Sequence, residues 1–276
     1  MSIKPRISTY KKLKQRVSLF RSPWADIFQY SLLVVMIIWL LSVSTNNLGY
    51  YWQWYRIPQY LFEMEDGHLI PGLLIEGLLF TFKISGVSLV FAMVVGLGTA
   101  LGRLSESFMA RAVTRVYLEI IRNTPLVVQI YLIYFVIGPI LGLDRFPSAV
   151  LALVLFEGSY ISEIFRAGIV SLHKGQWEAS HSLGLGTFST YRDVILPQAL
   201  RRITPPLAGE VITLIKNSAL VSLVSLNDLA MQARVIAADT FLTFEVWFTT
   251  AAIYLMVTIT LSVIVNRIEK KYEILT

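Results

Sequence analysis

The chain has no cysteine among its 276 residues, which excludes structural disulfides, thiolate metal centres and cysteine nucleophiles. Charge is scarce too: 15% of residues are charged, against about 25% in an ordinary soluble domain. With 55% hydrophobic and 12% aromatic residues and a mean hydropathy of +0.62, neither a disordered chain nor a water-soluble enzyme fits. Histidines are few, and His68, His173 and His181 are too scattered to form a metal set. A phosphate-cradling loop ending in Gly-Lys-Ser/Thr is missing as well. The nearest glycine cluster, Gly96, Gly98 and Gly102, lacks the lysine and lies in an apolar stretch, where small residues favour close helix packing. No tandem repeat, low-complexity tract or Ser–His–acid spacing stands out. No catalysis and no bound cofactor are expected of this chain.

What the sequence has in abundance is long apolar runs. A transmembrane helix takes about 20 such residues, and the runs predict an all-α integral membrane protein with six transmembrane helices. The first run is Ile27 to Val43. Further spans are expected at about Pro71–Leu101, Val116–Leu141, Phe146–Val170, Ile203–Leu226 and Phe244–Val265. The formal charge of +6 is uneven. Lys4, Arg6, Lys11, Lys12, Lys14, Arg16 and Arg21 precede the first run, with Asp26 the only acid there. Directly ahead of a span, such a tail marks the cytoplasmic side and does not call for nucleic acid. Six spans then place Arg103, Arg111, Arg115, Lys174, Arg192, Arg201, Arg202, Arg267, Lys270 and Lys271 inside, and only Arg56, Arg145 and Arg234 outside. Both termini are expected in the cytoplasm.

The predicted organisation is a basic tail over 1–26, an anchor helix over 27–45, an external segment over 46–70, a core over 71–266 and a cytoplasmic tail over 267–276. A cleavable signal peptide competes for the first run, since Ser42-Val43-Ser44 offers small residues. The long charged region ahead favours an uncleaved anchor. Tyr50, Tyr51, Trp52, Trp54, Tyr55 and Tyr60 suit the headgroup region, and Glu63, Glu65 and Asp66 suit an external acidic loop.

The cytoplasmic connection over 171–202 carries the sharpest signal. Residues from Gln176 to Leu183 favour a short helix that Gly184 is placed to end. Trp177, Ser180 and Gly184 share one face, a bulky anchor with small neighbours, fit for a partner's groove. The plainer alternative is a helix resting on headgroups. Glu178-Ala179-Ser180, then Gly184, then Leu196-Pro197 resemble the EAA loop of binding-protein-dependent ABC importer permeases. Ser180 stands for the second alanine and Val194 for the usual isoleucine.

Three further segments resemble the polar amino-acid group, which includes histidine, glutamine and glutamate permeases. They are Tyr117–Gln129 with Arg122, Thr124 and Pro125; Tyr160–Ile169 with Glu163 and Arg166; and Ile215–Ser222 with Lys216 and Asn217. Glu210 departs from the asparagine common there. The resemblance covers about Pro71 to the C-terminus and implies a five-helix type I ABC importer permease core behind one additional N-terminal helix. It further implies a bacterial inner-membrane location, a second permease chain, identical or homologous, and two ATPase subunits that hold ATP and magnesium. Each ATPase would take a coupling helix such as Gln176–Gly184, and a soluble binding protein would deliver an amino acid for alternating access. Lipid is the other partner.

Charged groups in hydrocarbon cost about 2.5 to 3.5 kcal/mol on insertion scales, so each calls for a partner or a task. Tyr160, Glu163, Glu210, Thr213, Asn217, Arg122 and Lys216 are the candidates for a path that accepts a zwitterion. Glu157 lies in the same span. The scaffold reading is open for each: Glu163 can pair with Arg166, Glu76 with Lys83, and Lys216 can snorkel. Two other functions are open from the residues alone. A secondary transporter would want paired broken helices, and only Pro205-Pro206 suggests a break. An assembly subunit would leave the path to partners.

Overall fold

A computed structural model describes residues 23–47, 49–65 and 67–272; the basic tail before Pro23 and the last residues after Tyr272 lie outside the described residues. The chain divides after Trp52. The first unit holds α1, Pro23–Asn47, which covers the expected anchor. Beyond α1, Tyr50 and Trp52 meet edge to face at 5.3 Å.

The second unit begins with a single 3-10 turn, Trp54–Arg56, and a short helix α2, Pro58–Leu61. Next comes a feature the expected acidic loop did not include. Strands β1, Phe62–Glu65, and β2, His68–Pro71, pair antiparallel with Phe62 opposite Pro71 and Glu65 opposite His68. Asp66-Gly67 is a strong two-residue hairpin signal, and Gly67 takes the positive φ of +80°.

Helix α3, Leu73–Leu104, has 32 residues. At 1.5 Å per residue it outspans a hydrocarbon core of about 30 Å. It packs along α7, Arg145–Val170, the innermost span: 67% of the apolar window of α7 is buried, against 28% for α3 and 11% for α12, Thr243–Tyr272. The contact is close because Gly96 has no side chain; a Cβ there would lie 2.6 Å from Ile161 Cγ2. Gly98, by contrast, faces open space. Around this pair Ile84, Leu153 and Leu214 form one buried group, and Ile161, Ile195 and Ile203 another. In lipid such packing rests on dispersion and shape more than on water release.

The third expected span is not one rod. Helix α4, Phe108–Arg122, and the apolar segment 126–141 meet at 106°. That segment comprises α5, Leu126–Leu132, a π turn over Ile133–Ile137, and α6, Gly138–Leu141. The cause is Pro125, which lacks an N–H and pushes the residue before it out of helical space. Gln129 repairs the break: its Nε2 donates to the Ile121 carbonyl at 2.8 Å, the Thr124 carbonyl at 3.0 Å and Thr124 Oγ1 at 2.8 Å.

After α7 come α8, Lys174–Ser182, then α9, Thr187–Ser189, and a π turn over Thr190–Ile195. Helix α10, Leu196–Asn217, follows and tightens into 3-10 turns over Ser218–Val224. The break expected at Pro205-Pro206 is absent, since both prolines lie inside α10. The donors they lack would have served the carbonyls of Arg201 and Arg202, two exposed residues that water can satisfy.

Helix α11, Leu229–Thr240, was not foreseen. Asp228 caps it, accepting from Met231 N at 3.0 Å and Ala230 N at 3.3 Å. Burial pushes the Asp228 carboxyl up to about 6, against the opposing pull of these amide donors and of Arg234. Leu229 N also donates to Thr81 Oγ1 at 3.1 Å, fastening α11 to α3.

Among the described residues four helices are long and apolar enough to cross a membrane, and five spans result if the bent pair is one. The first expected span falls on α1, whose described apolar stretch, Asp26–Ile37, is shorter than that measure.

Candidate functional site

The connection between α7 and α10 presents a short helix on a firm base. His173 caps α8 by accepting from Gly175 N at 3.0 Å. At the other end Leu185 N donates to the Ser180 carbonyl at 3.1 Å and Gly184 N to the His181 carbonyl at 2.9 Å, closing the last turn around Gly184 at φ +74°. That conformation is the reason for glycine at this position. The shared face expected for Trp177, Ser180 and Gly184 divides here. Trp177 packs inward, edge to face on Tyr191 at 4.9 Å, and beside the buried group of Ile195 and Ala199. Ser180 is buried and its Oγ donates to the Gln176 carbonyl at 2.6 Å. Glu178, Ala179, Leu183 and Gly184 are exposed. The side chain at Trp177 thus holds the helix to the body, and the acidic and small residues face out.

Two polar ties anchor this loop to α10. Gln198 Nε2 donates to Gln176 Oε1 at 3.1 Å, and Arg202 Nη1 to the Ser171 carbonyl at 2.7 Å. Leu196 and Pro197 are exposed and open α10, with proline in the first turn where its missing donor costs nothing.

Inside the bundle the candidate polar residues fall into two clusters. The first joins α7 and α10: Asn217 Nδ2 donates to Glu157 Oε1 at 2.8 Å, and the Glu210 carboxyl faces Glu157. Glu157 is fully buried, and its Oε2 has no hydrogen-bond partner. Thr213 Oγ1 donates to its own helix, at the Gly209 carbonyl, at 3.4 Å. Lys216 is exposed and stands apart. The sequence sets Glu157 beside Tyr160 and Glu163 in this span, but its pairing with Asn217, sixty residues away, carries no local signal.

The second cluster surrounds Glu163. Arg103 Nη1 donates to Glu163 Oε2 at 2.5 Å, and Arg166 Nε donates to Oε1 at 3.0 Å. Arg122 Nη1 stands 3.8 Å from Oε2. The expected Glu163–Arg166 pair is therefore one edge of a four-residue cage. Arg122 also donates to the Ser159 carbonyl and lies over the Tyr160 ring, 5.4 Å from its centre. The Tyr160 ring in turn rests on Phe156 at 5.1 Å. Glu76 and Lys83, the other expected pair, form no ion pair; Lys83 Nζ lies over the Phe146 ring at 5.6 Å.

Apolar spans around a buried polar crossing, with a short capped helix presented between two of them, are the build of a multi-pass membrane permease. The chain belongs to the family of binding-protein-dependent transport system inner membrane components, whose pattern covers residues 69–274. It is 40% identical over 206 residues to the glutamine transport system permease protein GlnP of Escherichia coli K12, covering 74% of this chain and 94% of that one. A putative glutamine permease of Rickettsia conorii is 35% identical over 200 residues, 72% of this chain and 92% of its own. Among solved structures, an amino acid ABC transporter crystallised with histidines matches with a TM-score of 0.67 and 37% identity, over 72% of this chain and 94% of that one. A methionine ABC transporter in inward-facing conformations shares the fold, with a TM-score of 0.61 at 21% identity over 73% of this chain and 97% of that one.

Proposed function

We propose that this chain carries a polar amino acid across the bacterial inner membrane as a permease subunit of an ATP-driven importer, with both termini in the cytoplasm. It works with a second permease chain, with two ATPase subunits that bind ATP and magnesium, and with a soluble binding protein that delivers the substrate. The chain itself holds no cofactor and performs no catalysis. The outward face of α8, Glu178, Ala179, Leu183 and Gly184, docks on an ATPase and passes its motion to α7 and α10.

The observation that carries the substrate reading is the buried Glu157–Asn217 bond with the Glu210 carboxyl facing it. Two carboxyls and an amide in an apolar bundle suit an ammonium group, because a cation relieves their mutual repulsion. Glu163 has a different task, since three guanidiniums already occupy it. It holds Arg122 beside Tyr160, where the arginine meets the substrate carboxylate. Glutamine-like zwitterions fit this division of charge, in keeping with relatives named as glutamine permeases.

The test is an ATPase assay on the intact reconstituted complex, with and without loaded binding protein, across a panel of amino acids. Hydrolysis stimulated by a polar amino acid, with glutamine foremost, supports the reading. Stimulation by none of the panel contradicts it.

A further inference from the structure

Five arginines converge on one cavity outside the polar crossing of α7 and α10. Arg103 from α3, Arg111, Arg115 and Arg122 from α4, and Arg166 from α7 line a space of about 550 Å³. Two carboxylates oppose them. Glu163 pairs with Arg103, Arg122 and Arg166, and Glu119 Oε2 already accepts the Asn123 amide at 3.0 Å. Three positive charges are left over. Arg122 Nε is buried with no hydrogen-bond partner. Arg111 reaches only a backbone oxygen, the Ser105 carbonyl at 3.0 Å, and among the described residues Arg115 has no partner. Guanidiniums gathered this closely repel one another unless an anion joins them, and their planar donors match an oxyanion.

The helix that supplies three of the five indicates which oxyanion. On α4, Met109, Val113, Val116 and Ile120 recur at steps of four, three and four residues. They form a stripe exposed by 67, 60, 57 and 58%. Arg111, Arg115 and Arg122 occupy a separate stripe of the same helix. The 106° bend sets α4 near the membrane plane when segment 126–141 crosses the bilayer. A helix with one basic and one apolar stripe, lying in that plane, is built for the headgroup boundary. Basic pockets at the ends of membrane spans suit lipid phosphates.

We propose that the arginine cavity binds the phosphate of an anionic phospholipid at the headgroup boundary. A headgroup phosphate supplies the missing charge, while the Met109–Ile120 stripe, on the opposite side of α4, meets the surrounding acyl chains. The cavity shares Arg122 with the substrate path proposed above and rests on that reading only there; Arg111 and Arg115, which the path does not use, carry the test.

The test is native mass spectrometry of the full chain, exchanged from detergent into phosphatidylglycerol, phosphatidylcholine or inorganic phosphate. Phosphatidylglycerol should be retained over phosphatidylcholine by on the order of tenfold, and Arg111→Gln/Arg115→Gln should abolish that preference. Glu119→Gln removes one opposing carboxylate without changing shape, and it should raise retention. Equal retention of the two lipids, or a preference untouched by the arginine pair and by Glu119→Gln, overturns the proposal. So does displacement of the lipid by millimolar inorganic phosphate or glutamate, which would assign the cavity to a small soluble anion.

Discussion

Asn217 on α10 donates to Glu157 on α7 at 2.8 Å, a polar tie between two spans in an apolar interior. Asn217→Ala leaves that carboxyl without its donor. The expected cost is about 1 to 3 kcal/mol, the penalty of a buried polar group left unsatisfied. Thermal unfolding of the purified complex in detergent measures it. An unchanged midpoint would show that the tie carries no weight.

Glu157→Gln separates the tie from the charge. An amide oxygen still accepts from Asn217, so assembly and basal ATPase activity should be normal. Substrate affinity in transport should fall by on the order of tenfold or more, the worth of a charge-assisted hydrogen bond. Wild-type affinity would remove Glu157 from the substrate path.

Glu163→Gln acts on the arginine cage. Its side chain is 37% exposed, so solvent screening trims the loss to about 1 kcal/mol. Adding Arg166→Gln should recover part of it, because one of the unmatched cations is then gone. A double variant less stable than the single one would contradict a shared cage.

Much of this was legible before any fold was known, and the reason is locality. The run from Glu178 to Pro197 spells a helix, its stop and the next helix start within a few turns. Apolar runs likewise announce spans by length alone. Distant pairings leave no such trace: Arg103 and Glu163 stand sixty residues apart, as do Glu157 and Asn217. The bend at Pro125 was written in Asn123-Thr124-Pro125, but the apolar run continues across it and masked the corner. Spacing also grouped Trp177 with Gly184, although it does not say which side of a short helix meets the protein body.

Asp228 gives a pH dependence. Its folded pKa of about 6 lies above the usual aspartate value of 3.8, so the folded state binds the extra proton between them. The stabilisation this provides is complete below about pH 4 and is lost as pH rises through about 6. Asp228→Asn keeps a cap on α11 and removes the titration. The variant's thermal midpoint should therefore fall less than the wild type's between pH 4 and 7. Parallel curves would place the carboxyl in a more solvated setting than its burial indicates.

Gly184 tests the docking face, and its backbone dictates the variant. A Cβ there meets nothing within 4 Å, but φ is +74°, so valine would strain the turn whatever the partner does. Asparagine tolerates that conformation and adds bulk only on the outer side. Gly184→Asn should leave the chain folded and inserted while stimulated ATPase activity drops several-fold. Full coupling in that variant would move the ATPase contact elsewhere.

The most direct measurement is uptake of labelled glutamine into proteoliposomes that hold this chain with its permease partner, the ATPases and external binding protein. Uptake should require ATP inside the vesicles and the binding protein outside, and it should persist when ion gradients are collapsed. Gradient-driven uptake by this chain alone, with no ATP, would contradict the account.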